Sequence, residues 1–190
     1  AETSTGALSD VETLAAISRE AGMLTLVDTV TSLGGSPLET DAWGLDAVYS
    51  GTQKCLSIPP GLSPITLSEA ALERVRGRKS PVQSWFMDLN LVLGYWDEGA
   101  KRSYHHTAPI NALYGLHEGL LMPREEGLEA AWDRHRRTHR ALRAGLEGLG
   151  LRLTVPEAER TPQLNAVEVP SGVDEARVRE YLASEEGLAE

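Results

Sequence analysis

The chain has 190 residues, 41% of them hydrophobic, and a formal net charge of −10. That length suits one ordinary domain, or one domain with part of another; no apolar run approaches the ~20 residues that cross a bilayer. The acidic balance argues against nucleic acid or an anionic membrane as the main partner, though not against one small anion held by local donors. A single cysteine, Cys55, excludes a disulfide within the chain and fits a reducing, cytoplasmic setting. No signal peptide is visible in a sequence that opens at Ala1.

The stretch "SDVETLAAISREAG" (9–22) reads as a complete helix, with Ser9 as cap, Glu12 at the capping-box position and Gly22 as stop. "MLTLVD" (23–28) reads as a mostly apolar strand with Asp28 at its far end. A Gly/Pro-rich connection leads to a second strand, "LDAVYS" (45–50). Helix followed by buried strand points to an α/β layered fold, in which chemistry gathers beyond the carboxyl ends of the strands. Asp28 lies at such an end, and Lys54 lies just past the other, in "YSGTQKCLSIPPG" (49–61).

Farther along, "SPITLS" (63–68) suits a third strand, and "SEAALERVR" (68–76) a short helix capped by Ser68. Residues 77–104 show no clean period and read as a surface-wrapping or interface segment, with Trp85, Phe86 and Trp96 as its apolar anchors. "TAPINALYGLHEGLL" (107–121) reads as a helix capped by Thr107, with Pro109 in its first turn, and a longer helix spans about 124–148. "LRLTV" (151–155) and "NAVEV" (165–169) alternate like half-buried strands. "DEARVREYLASEEG" (174–187) follows as an amphipathic helix. A boundary near 125 divides the chain into residues 1–125 and 126–190.

A free lysine titrates near ~10.4, so it attacks a carbonyl only where its surroundings favour the neutral amine. A strand end in an α/β crevice is such a place, although a solvated turn lysine is the ordinary outcome for that position. Asp28 has the same two readings, a turn cap or a carboxylate awaiting a cation. Adjacent His105 and His106 seldom share one metal, and no Cys/Asp cluster completes a set, so packing roles are expected of them. His135 and His139 have zinc-capable i, i+4 spacing, but "DRHRRTHR" is cationic throughout and reads as a solvated face. Cys55 reads as a small buried hydrophobe.

Taken together, "ETSTG" (2–6), "VDTVTSLGG" (27–35), "SGTQKCLSIPPG" (50–61) and "YHHTAP" (104–109) resemble the alanine–glyoxylate/serine–pyruvate aminotransferases, class V pyridoxal-phosphate (PLP) enzymes. The resemblance is tightest from 2 to 121 and looser in the tail. It implies an α/β fold of type I: part of the large, mainly parallel-sheet PLP domain followed by part of the small C-terminal α/β domain. It implies transfer of an amino group from alanine or serine to glyoxylate or a related 2-oxo acid. Lys54 takes the place of the lysine that forms a Schiff base with PLP and shuttles the substrate proton. Asp28 takes the place of the carboxylate on the pyridine nitrogen, and Val30 packs on the ring face. Thr3 stands where relatives carry a serine that donates to the phenolic oxygen, and Gln53 supplies an amide to the phosphate. Tyr104 and Thr107 match residues that reach the phosphate of the neighbouring subunit, which implies a homodimer with shared sites.

Members of that family are about twice this length. Ahead of Ala1 they carry a Ser/Gly/His phosphate turn and a ring-stacking aromatic; beyond Glu190 they carry the arginine that clamps the substrate carboxylate. The chain therefore reads as an internal section of a longer enzyme. The rival readings are another class V enzyme, either a ureidoglycine–glyoxylate transaminase or a cysteine desulfurase-like protein, and a non-catalytic fragment. Desulfurases carry a His-Lys pair and a mobile cysteine, whereas here Gln53 precedes the lysine and Cys55 follows it directly.

Overall fold

The computed structural model describes residues 1–95 and 104–185. Trp96, expected among the apolar anchors, lies outside the described residues. Helix α1 (Val11–Glu20) is capped by Asp10, whose side chain accepts from the Thr13 N–H at 3.1 Å. Ser9 was expected there; the boundary falls one residue later because Asp10 is the first residue to leave helical backbone angles, at ψ 81°. At the other end Gly22 N–H reaches the Arg19 carbonyl and Met23 N–H the Ser18 carbonyl, closing the helix as expected.

Strands β1 (Leu26–Asp28) and β2 (Ala47–Tyr49) pair in parallel, with Val27 opposite Val48 and Asp28 opposite Tyr49. Strand β3 (Ile65–Leu67) pairs antiparallel with β2, so the sheet is mixed, in the order β1-β2-β3. Ala15 of α1 packs with Val27, Leu45 and Val48 to form the core, flanked by Val11, Leu38 and Trp43. The buried strand expected after that helix is buried on one face only. Only Val27 of β1 is buried, and Leu26 is 68% exposed. The physical reason is the alternation of a strand: Val27 faces the core with Ala15 of α1, while Leu26 and Asp28 point to the opposite face of the sheet.

Asp46 stitches the sheet's entrance, accepting from Thr25 N–H at 2.8 Å through Oδ2 and from Ser68 Oγ at 2.9 Å through Oδ1. Ser68 also caps helix α2 (Glu69–Arg76), accepting from Ala71 N–H at 3.1 Å, as the sequence indicated. Ser68→Ala is expected to cost about 1 kcal/mol, the usual worth of a lost cap. The measurement is a lower urea midpoint with an unchanged slope.

The aperiodic segment after α2 holds a 3-10 turn (Trp85–Met87) and a short helix, α3 (Leu89–Leu93), which sequence periodicity did not reveal. Helix α4 spans Ile110–Glu126 and begins beyond Pro109 without a side-chain cap, so Thr107 is not its cap. It runs through Pro123 instead of stopping at 121, then turns at Gly127 into α5 (Leu128–Gly148). Arg134 grips Glu126 at that corner in a two-pronged bond of 2.6 and 2.8 Å, which holds the Glu126 carboxyl below its ordinary range.

In the tail, the two expected strands reduce to a single antiparallel bridge, Leu153 to Val167, with bonds from Thr154 N–H to Ala166 O and from Glu168 N–H to Arg152 O. A two-stranded ribbon is marginal by itself, and no third strand stands beside this one among the described residues, which accounts for the shortfall. Helix α6 (Glu175–Glu185) is present as expected.

Candidate active site

The carboxyl ends of β1 and β2 open onto a floor of small hydroxyl residues. Thr29, Ser50 and Thr52 are at most 1% exposed, yet each is satisfied. Thr29 donates N–H and Oγ1–H to the Tyr49 carbonyl at 2.9 and 2.7 Å, Ser50 Oγ–H returns to the Thr29 carbonyl at 3.1 Å, and Thr52 Oγ1–H reaches the Pro59 carbonyl at 2.7 Å. Chains leaving a sheet strand their backbone groups, and compact hydroxyls repair them without filling the space above. This accounts for the small polar residues around Lys54. Ser57, three residues on, sits in the left-handed region at φ 58°, a conformation that costs a residue with a Cβ and recurs around ligand sites.

Asp28 is exposed at the tip of β1 with one donor on each oxygen. Oδ1 accepts from Val30 N–H at 2.8 Å and Oδ2 from Tyr49 O–H at 2.6 Å. Lys54 is exposed, and its ammonium has no hydrogen-bond or ion-pair partner among the described residues. It lines a cavity of about 290 Å³ with Thr31, Cys55, Ser57, His135 and Gln163. Asp28 lines two other clefts, on the α1 side, with Ala1 and Val27. The two residues thus share one sheet end without lining one described cavity.

Thr3 lies in a tight turn closed by Gly6 N–H to Glu2 O at 2.8 Å, and the turn is tied to the loop after β1 by Thr31 Oγ1–H to Ala1 O at 3.1 Å. Val30 is half-buried behind Asp28. Gln53 is exposed and folds its amide over Gly51, where a Cβ would stand 2.7 Å from Gln53 Oε1, closer than atoms pack. Tyr104 and Thr107 share a 2.6 Å hydroxyl–hydroxyl bond on the surface. His105 is buried, stacks on Trp85 at 4.0 Å between ring centroids, and meets His106 Nδ1 to Nδ1 at 2.8 Å. That is packing, as expected, and no His/Cys/Asp/Glu cluster fit for a metal occurs among the described residues.

One expectation changes here. His135 and His139 are half-buried, so they do not belong to a solvated face. Burial, with Arg134 adding to it, holds the His135 imidazole below the ordinary histidine range beside Lys54. His139 Nδ1 pairs with Asn165 Oδ1 at 2.6 Å, joining α5 to the tail. Gln163 was not singled out from sequence at all. Its Nε2–H donates to Thr31 O at 2.9 Å while its Oε1 accepts from Ser36 Oγ at 3.1 Å, so the tail forms one wall of the Lys54 cleft. Cys55 is half-buried, with Sγ 3.5 Å from Thr31 O, and burial pushes its thiol up, as a packed cysteine requires.

These groups suit a pyridoxal cofactor chemically. Asp28 keeps acceptor capacity beyond its two donors, and Lys54 offers an amine at the rim of a cleft. The class-V aminotransferase family model matches residues 1–189. The chain belongs to that family.

The class-V chain is 39% identical over 189 residues to an alanine–glyoxylate aminotransferase of Callithrix jacchus, covering 98% of this chain and 46% of the relative. It is 36% identical over 205 residues to an (S)-ureidoglycine–glyoxylate transaminase of Bacillus subtilis, covering 98% and 49%. The crystal structure of an alanine–glyoxylate aminotransferase from Nostoc sp. superposes with a TM-score of 0.92 at 47% identity, covering 97% of this chain and 48% of that one. The chain therefore spans about half the length of the relatives it matches. Its fold is that of the fold-type-I PLP transferases, with a mixed sheet in the part described.

Proposed function

We propose that this chain is the central section of a PLP-dependent aminotransferase that passes the amino group of alanine or serine to glyoxylate or a related 2-oxo acid. One observation carries the reading: in a class-V chain, a lysine with no partner among the described residues and a doubly supported carboxylate stand at the carboxyl ends of two adjacent parallel strands. Bound PLP supplies a carbonyl carbon for amine exchange and a ring that spreads negative charge from the substrate α-carbon. Lys54 Nζ would be the covalent anchor and, as a free amine, would carry the substrate α-proton. Asp28 holds the proton on the ring nitrogen. Val30 would offer the ring an apolar contact, Thr3 a hydroxyl for the phenolic oxygen, and Gln53 an amide for the phosphate. Residues 1–125 belong to the large domain and 126–190 to the small one.

Tyr104 and Thr107 serve the phosphate of a second copy, so the working unit is a homodimer. Both hydroxyls are exposed and joined to each other, which supports that role. No described helix is long and apolar enough to cross a membrane; a cytoplasmic location is proposed with small amino and oxo acids as the partners. Both glyoxylate-using relatives support the acceptor, and ureidoglycine is the second donor to test. Cysteine desulfuration is disfavoured, because Cys55 Sγ is packed on Thr31 and cannot swing over a substrate.

The test uses the full-length protein with PLP. Borohydride is expected to fix the cofactor on Lys54, located by peptide mass. Alanine or serine with glyoxylate is expected to turn over faster than ureidoglycine with glyoxylate, with no sulfide released from cysteine. Cofactor fixed on another residue, or none, would overturn the reading.

A further inference from the structure

The Asp28 carboxylate has a side-chain partner besides the backbone N–H of Val30. Tyr49 lies directly opposite Asp28 in the parallel pair, and its hydroxyl donates to Oδ2 at 2.6 Å. The other oxygen takes Val30 N–H at 2.8 Å. With one donor on each oxygen, rotation about Cβ–Cγ is blocked, and the remaining lone pairs keep a single direction. We infer that Tyr49 is a positioning residue for the cofactor: its phenol O–H fixes the Asp28 carboxylate in the orientation that meets the ring nitrogen. This rests on the aminotransferase reading above.

The backbone makes the contact durable. Thr29 N–H and Oγ1–H both bind the Tyr49 carbonyl, and Ser50 Oγ–H binds the Thr29 carbonyl, so the two strand tips cannot slide past one another. The hydrogen bond to Asp28, with burial and that carboxylate's charge behind it, pushes the Tyr49 phenol above the ordinary tyrosine range. The phenol is therefore a standing donor and does not compete for the ring proton. Phenylalanine at 49 keeps the ring and removes the donor, which separates packing from positioning.

The experiment has two arms in the full-length protein. Without cofactor, the Tyr49 phenol is titrated by ultraviolet absorbance, with Tyr49→Phe as the blank. It is expected above the ordinary tyrosine range and to fall back toward that range in Asp28→Asn. With cofactor labelled at its ring nitrogen, Tyr49→Phe is expected to keep the borohydride-fixed adduct on Lys54 and an unchanged KM. It should lose roughly 10- to 150-fold in kcat, the worth of one hydrogen bond to a charged group, and its ring 15N resonance should move toward the unprotonated position. Fluorotyrosine at 49, which restores an O–H donor, should restore both. A phenol titration that ignores Asp28→Asn, or a Tyr49→Phe enzyme with wild-type kcat and ring resonance, overturns the inference. Absence of any cofactor on Lys54 in the wild type sinks the aminotransferase reading instead, while the phenol arm still decides whether Tyr49 holds Asp28.

Discussion

Lys54→Ala in the full-length protein is expected to lower amino transfer by on the order of 10⁴-fold, the upper end of what one positioned acid–base group contributes. Borohydride should then leave the cofactor unattached. Stability should change by no more than about 0.5 kcal/mol, since exposed side chains away from packing seldom matter more. The structure motivates that split, because Lys54 is exposed and its ammonium holds no partner among the described residues. Its removal opens no cavity in the core and strands no buried charge. Lys54→Arg should be as inactive as alanine, since a guanidinium keeps the charge but stays protonated. Lys79, an exposed lysine in the turn after α2, is the matching control, and Lys79→Ala should retain wild-type turnover. Single-turnover rates with alanine and glyoxylate, read beside urea midpoints, check both halves. An alanine variant that still turns over within tenfold of wild type would remove Lys54 from the chemistry.

Much of this arrangement was legible in the sequence because its signals are local. α2 carries its cap, Ser68, within one turn, and α1 its stop, Gly22, so neither needed long-range information. The slip from Ser9 to Asp10 separates two neighbouring residues that cap equally well, and only backbone angles distinguish them. Asp28 and Lys54 stood out because strands end in front of them, and a resemblance across four segments gave each a role.

What the sequence hid depends on distance along the chain. The Tyr49–Asp28 bond needs the parallel register set across the connection between β1 and β2, which no periodicity encodes. The Gln163–Thr31 and His139–Asn165 bonds join segments 132 and 26 residues apart. A run such as "DRHRRTHR" reads as solvated until a tail folds over one side of it. Thr107 illustrates the opposite error. A residue of the right type near a helix start invited a capping role, but its hydroxyl bonds Tyr104 and not the helix, which begins three residues later.

Gly6→Ala is expected to destabilise the full-length protein by about 2–4 kcal/mol, combining left-handed backbone strain with overpacking. Gly6 is buried at φ +80°, and a Cβ there would stand 2.4 Å from the Leu164 carbonyl oxygen, with the Leu164 carbonyl carbon and Cδ2 both at 3.1 Å. Backbone cannot rotate away as a side chain can. The contact is also stitched on both sides: Thr161 N–H binds Gly6 O at 2.8 Å, and Leu8 N–H binds Glu159 O at 2.7 Å. Relief therefore means pushing the 159–164 strap off the turn that carries Thr3, and with it Gln163 off Thr31. Gly150→Ala separates the two causes, since Gly150 has φ +78° with nothing within 4 Å of its Cβ position. It should lose only the strain, about 1–2 kcal/mol. Urea midpoints of the two variants give the steric share by difference. The same displacement predicts weaker cofactor retention in Gly6→Ala but not in Gly150→Ala, measured by dialysis of the loaded enzyme. Equal midpoints and equal retention would mean that the strap yields freely at Leu164, and that the tail does not brace the Thr3 turn.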